Sequence, residues 1–199
     1  MIIKTQKESD RHIEIQQLLE PYFYMIHDEI YGKHWSGEWV KPDFLIFPKP
    51  HLVQAGVPDK VFGIEIKTSG LLDGNKKQAI ELVAQAISYQ ESRFKTSHGT
   101  DFLEAVFVFP DLDTYARESS GRENPEGYFT DGLTYGLSRL AGRWGVGEIV
   151  VTKYGIEFLI AKVQYLKISN NGEVRKGRVP MGGKIQIGCA LKKRPTKNY

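Results

Sequence analysis

Two side chains in "VFGIEIKT", Glu65 and Lys67, sit where a buried strand would normally take an aliphatic. The preceding strand "VKPDFLIF" brings its own acid, Asp43, after Pro42 at its head, although Pro-Asp is also a common turn signal. Residues two apart in a strand share a face, so Glu65 and Lys67 project together while Ile64 and Ile66 enter the opposite layer. If the two runs pair as a hairpin with a long loop, Asp43 lies beside Glu65. Carboxylates so placed repel each other, and a cation between them relieves the repulsion. Oxygen ligands from Asp43 and Glu65, completed by waters and a main-chain carbonyl such as that of Ile66, suit Mg²⁺ or Mn²⁺. A metal held there lowers the pKa of a bound water and screens the charge on a phosphodiester. Lys67 can orient the attacking hydroxide or stabilise the extra negative charge of the transition state. The competing reading is a same-face ion pair of the kind common on exposed sheets. A second Pro-Asp, Pro110–Asp111, follows a strand instead of opening one, and Asp111 and Asp113 read as turn and capping residues.

Strands over 40–47 and 61–68 must carry these groups, with 48–60 as a Pro- and Gly-punctuated loop between them. Residues 8–20 predict a helix capped by Ser9 or Asp10, striped by Ile15, Leu18 and Leu19, and ended by Pro21. Residues 22–32 look extended. "DGNKKQAIELVAQAISYQESRF" predicts a helix capped by Asp73 or Asn75, with Ile80, Val83, Ile87 and Phe94 at helical spacing. A buried strand over 103–110, a loop over 111–127 and a glycine-interrupted helix in "YFTDGLTYGLSRLAGRWG" follow. The rest alternates in β fashion, with a hairpin turn at "SNNGE". The order α-β-β-β-α-β-α-β-β reads as α/β or α+β, and an α/β fold is expected, a mixed central sheet flanked by helices with extra strands in the C-terminal third. One domain over 1–199 is expected, with its core over 8–110, a β-rich extension over 145–190 and a basic tail over 191–199.

At 199 residues, 41% hydrophobic and 26% charged, the composition is that of an ordinary globular protein. No apolar run approaches the roughly 18 residues of a membrane span, and "MIIKTQKESDRHIE" lacks the apolar core of a signal peptide. The expected location is cytoplasmic, or the host cytoplasm if the gene is viral, with no membrane partner. Cys189 is the single cysteine, which leaves no intramolecular disulfide, thiolate zinc site or cysteine-held iron–sulfur cluster. A net charge of +3 is compatible with DNA as a partner without requiring it. The tail "LKKRPTKNY" is either a frayed solubilising end or a phosphate-contacting arm.

In order, "KPDFLIF", a loop, "GIEIKTSG" and a following helix resemble the PD-(D/E)XK nuclease superfamily, the restriction-endonuclease-like fold. The resemblance implies that Asp43 and Glu65 bind the metal and that Lys67 serves the nucleophile. "AQAISYQ" places Gln85 and Tyr89 one turn apart on one helix face. This is similar to the Q-x-x-x-Y signature of the RecB-like branch, which includes Cas4-type nucleases and in which the pair helps position the substrate strand. The alternative is a boundary core tyrosine and a solvated glutamine. The family usually draws a further ligand or acid from the first helix, and His12, on the face of Ile15 and Leu19, is the better-placed candidate. Glu8 lies one turn earlier, Glu14 is displaced from that face, Glu20 ends the helix, and His27 suits another alignment. A nitrogen ligand there favours Mn²⁺ over Mg²⁺.

The resemblance spans roughly residues 8–110. The chain departs from Cas4 relatives in lacking their cysteines, and the C-terminal third resembles nothing identified. It implies a metal-dependent deoxyribonuclease, with Lys76, Lys77, Arg93 and Lys95 flanking the signature helix and available to phosphates or simply solvated. A catalytically inactive nucleic-acid-binding or assembly module on the same fold is the rival. Endo- or exonucleolytic action, strand preference and homodimerisation stay open.

Overall fold

The structure, a computed structural model, describes residues 8–26, 30–67, 76–97, 99–112, 132–161 and 163–177. In chain order its elements are α1 (Glu8–Leu19), β1 (Phe23–Ile26), β2 (Gly32–His34), β3 (Trp39–Val40), β4 (Phe44–Pro48) and α2 (Pro50–Gln54). Then come β5 (Phe62–Ile66), α3 (Lys76–Gln90), β6 (Ser92–Thr96), β7 (Gly99–Phe102) and β8 (Val106–Phe109). The last are α4 (Gly132–Arg143), β9 (Val146–Thr152), β10 (Gly155–Ile160), β11 (Val163–Ser169) and β12 (Val174–Lys176).

Eight strands form one mixed sheet in the order β1-β4-β5-β8-β9-β10-β11-β12. β5, β8 and β9 run parallel at its centre, and the other neighbours are antiparallel. Parallel neighbours need crossovers, and α3 and α4 lie in those two connections. Both helices pack on one face, where Leu82, Val83, Ala86, Leu137 and Ala141 meet Leu45, Val106, Val108 and Val146. The other face buries Ile15 and Leu19 of α1 against Ile46, Ile64, Ile66 and a cluster of Phe23, Phe62, Phe107, Phe158 and Tyr165. Within that cluster Phe107 and Phe158 meet edge-on with centroids 4.9 Å apart, a favoured aromatic geometry. Central strands covered on both sides read as continuous apolar runs, as "VFVF" in β8 does. β5 has every residue buried, and Glu65 is its one charged residue.

The α/β expectation holds at this level, and β9–β12 continue the main sheet. The turn at "SNNGE" joins β11 to β12, with Gly172 at φ 82°.

Four local expectations give way. The segment 22–32 is split: β1 belongs to the main sheet, and β2 joins β3, β6 and β7 in a separate antiparallel sheet of order β3-β2-β6-β7. Gly32 permits that sheet, since a Cβ there would stand 2.4 Å from the Phe94 ring. The helix expected through Phe94 ends at Gln90, because residues 92–96 gain strand partners on both sides and bury Phe94 to 1% exposure. Its buried stripe is Leu82, Val83, Ala86 and Tyr89, while Ile80 is exposed. The loop 48–60 contains α2, started by Pro50 with its preset helical φ. The expected caps Asp73 and Asn75, together with Asp113 and the tail 191–199, lie outside the described residues.

Candidate active site

Asp43 stands directly before β4, whose antiparallel register pairs Phe44 with Ile64. One step further along that register, Asp43 faces Glu65 where the ladder ends. The Asp43 carboxylate takes over the missing ladder partner, its Oδ2 accepting the Ile66 backbone N–H at 2.6 Å. The side chain of Ile66 points into the core on the other face and is fully buried.

Glu65 is 2% exposed and lies on the α3 side of the sheet. Two groups stabilise its charge. The Lys67 ammonium lies 2.8 Å from Oε1, on the same face two residues on, and the Tyr89 hydroxyl donates to Oε2 at 3.0 Å. Burial, and then the neighbouring charge of Asp43, nevertheless push the Glu65 carboxyl up to about 7; Lys67 and Tyr89 oppose that rise. Burial, followed by the Glu65 charge, likewise pushes the Tyr89 phenol up, so Tyr89 acts as a hydrogen-bond donor.

α1 reaches the same point from the opposite side of the sheet. His12 Nε2 lies 3.8 Å from Asp43 Oδ1, and its ring rests against Phe44 at 5.2 Å between centroids. The structure therefore brings together Asp43, Glu65, Lys67, Tyr89 and His12. Gln85 is exposed one turn before Tyr89 on α3. Glu20 lies beyond α1, where it accepts from Gln16 at 2.7 Å. Arg93 and Lys95 are on β6 instead of on a helix flank. His27 and the side chains of Glu8, Lys76 and Lys77 lie outside the described residues.

A buried acid on β9 escaped the sequence reading. Glu148 is 3% exposed and accepts from the Leu112 backbone N–H at 2.9 Å and from the Ser138 hydroxyl of α4. The register pairs Glu65 with Val108 and Val108 with Glu148, so the two glutamates share one lateral row and one face. The signal was the one that marked Glu65, an acid inside an apolar run, here "VGEIVV".

Among the described residues no three His, Cys, Asp or Glu side chains gather closely enough to hold a metal ion. The pair Asp43 and Glu65 fits a hard divalent cation as a partial oxygen set. Their mutual repulsion is what such a cation would relieve, and water suits the remaining positions. A cavity of about 210 Å³ lies elsewhere, lined by Phe94, Phe102 and the Lys60–Asp101 ion pair, and holds none of these groups. Comparison with family models, curated proteins and solved structures gave no match.

Proposed function

We propose that this chain is a metal-dependent deoxyribonuclease of restriction-endonuclease-like fold. The observation that carries the reading is the pairing of Asp43 with Glu65 at the end of the β4–β5 ladder, with Lys67 and Tyr89 on the glutamate. Asp43 and Glu65 would hold Mg²⁺ or Mn²⁺, which supplies an acidified water and neutralises charge on the phosphate. Asp43 is oriented by the Ile66 N–H, and Glu65 by Tyr89 and Lys67, so neither carboxylate must reorganise to act. Lys67 is a third exposed, which lets its ammonium turn from Glu65 towards a phosphate oxygen or the attacking water. His12, near the other oxygen of Asp43, orients that carboxylate or joins it as a ligand. Tyr89 works through Glu65 and not on the substrate strand; its hydroxyl is buried.

The test is cleavage of single- and double-stranded DNA with Mg²⁺ or Mn²⁺ present. Asp43→Ala, Glu65→Ala and Lys67→Ala should each lower the rate by about a hundredfold or more. If Glu65→Ala and Lys67→Ala cut as fast as the parent, the reading fails. DNA binding without cleavage under any divalent cation would favour an inactive binding module.

A further inference from the structure

The second sheet turns outward a row of two neighbouring cations flanked by two aromatic rings. Its registers set Trp39 opposite Lys33, Lys33 opposite Arg93, and Arg93 opposite Phe102. Directly opposed residues share a face, so Trp39, Lys33, Arg93 and Phe102 line up across all four strands. The Lys33 ammonium lies 4.6 Å from the Trp39 ring centroid and the Arg93 guanidinium 5.2 Å from that of Phe102. Just outside the ends of β2 and β3, Lys41 covers the Tyr31 ring at 5.5 Å, and Lys95 of β6 is exposed. Trp35, 78% exposed, and Trp39, 66% exposed, are the most exposed large apolar side chains of the described residues. The opposite face is the structural one, with Phe94 and Ser92 buried towards α3. The nearby acids include Glu91, which accepts from the Trp35 indole N–H at 2.9 Å, Glu38, which accepts from Ser36, and, on the other face of β7, Asp101, which pairs with Lys60 at 2.9 Å.

Leaving two tryptophans in water forgoes the free energy of burying them, and large apolar exposure of this kind marks an interaction surface. Rings each set beside a cation match a polymer of flat bases joined by phosphates: a base stacks on a ring while the adjacent cation meets the phosphate. Duplex DNA hides its base faces in its own stack, so the match is to an unpaired strand. We propose that the outer face of this sheet, through Tyr31, Lys33, Trp39, Lys41, Arg93 and Phe102, binds single-stranded DNA.

The face is tied to the candidate active site twice. Lys41 precedes Asp43 by two residues, at most about 7 Å of chain, and Arg93 follows Tyr89 by four, at most about 14 Å. As the route by which substrate reaches Asp43 and Glu65, the inference rests on the nuclease reading; as a binding face it stands without it.

Anisotropy of a labelled oligothymidylate of about 20 nucleotides, in EDTA so that nothing is cut, tests it. The single strand should bind with quenching of tryptophan fluorescence, and a blunt duplex of equal length about tenfold more weakly. Tyr31→Ala with Trp39→Ala should weaken single-strand binding by about tenfold. Lys33→Ala with Arg93→Ala should flatten the slope of log affinity against log salt by about 1.4. Affinity unchanged in both double variants overturns the proposal. So does a dimer that Trp39→Ala converts to a monomer without loss of oligonucleotide affinity, which would make the face a self-association surface. Continued cutting by Glu65→Ala would sink the nuclease reading and leave the binding face intact, whereas cleavage by the parent with unaltered binding in the platform variants does the reverse.

Discussion

The Tyr89 hydroxyl reaches Glu65 Oε2 at 3.0 Å across the packed boundary between α3 and β5, so the helix that crosses the sheet also holds its buried acid in place. Both partners are nearly inaccessible to water, and no solvent can replace the bond if it is lost. Tyr89→Phe should therefore lower stability by about 1.5–3 kcal/mol, the range for losing a hydrogen bond to a charged acceptor. It should also raise the Glu65 pKa further, because the phenol favours the carboxylate. Urea unfolding at pH 8 measures the first effect. An unchanged midpoint would show that the hydroxyl contributes nothing to holding Glu65.

Glu65 gives stability a pH dependence of unusual sign for a carboxylate. Its folded pKa of about 7 lies above its ordinary value of 4.5, so the folded state holds a proton that the unfolded state has released. The stabilisation is fully present below about 4.5 and is lost as pH rises through about 7. Glu65→Gln removes the titration, and its melting temperature relative to the parent should rise between pH 5 and pH 8. A difference that stays flat across this window would contradict the burial argument. Mg²⁺ or Mn²⁺ has the opposite requirement, since the ligand must be deprotonated. Thermal stabilisation of the parent by millimolar Mn²⁺ should grow as pH rises past about 7 and vanish in Asp43→Ala.

Asp43 raises the Glu65 pKa through its charge, second in size to burial. Asp43→Asn keeps an oxygen for the Ile66 N–H while removing that charge, so the Glu65 pKa should fall towards the ordinary carboxylate range. Carbon-detected NMR titration of the Glu65 carboxyl reads the change directly. A value that does not move would mean the two carboxylates are too far apart to share a cation.

What the sequence disclosed follows from which interactions are local. Strand alternation alone put Glu65 and Lys67 on one face, and helical spacing alone put Tyr89 one turn from Gln85. The antiparallel pairing that sets Asp43 against Glu65 could be stated only as a condition, because it depends on how a long connection closes. The small sheet was illegible for the same reason. Phe94 continues the helical period of α3, and only the Gly32 backbone, some sixty residues earlier, offers the space that draws it into a strand. The partners of Tyr89 and Glu148 are tertiary too. Period marks both as interior, but not what their polar atoms meet.

Glu148 tests whether a buried acid in the row of Glu65 belongs to the chemistry. One strand, β8, lies between it and Glu65, so the lateral distance is two strand spacings, about 10 Å. Its accepted bonds instead join three elements: β9, the Leu112 amide after β8, and Ser138 of α4. Glu148→Ala would leave a buried N–H and a buried hydroxyl without that acceptor, at a cost of about 3 kcal/mol. Glu148→Gln keeps one acceptor oxygen and should cost about 1 kcal/mol. Cleavage by the folded Glu148→Gln protein should stay within about twofold of the parent, against the hundredfold loss expected for Glu65→Ala. Equal losses of cleavage in the two glutamate variants, with Glu148→Gln as stable as the parent, would move Glu148 into the active site and make the acidic row a single catalytic unit.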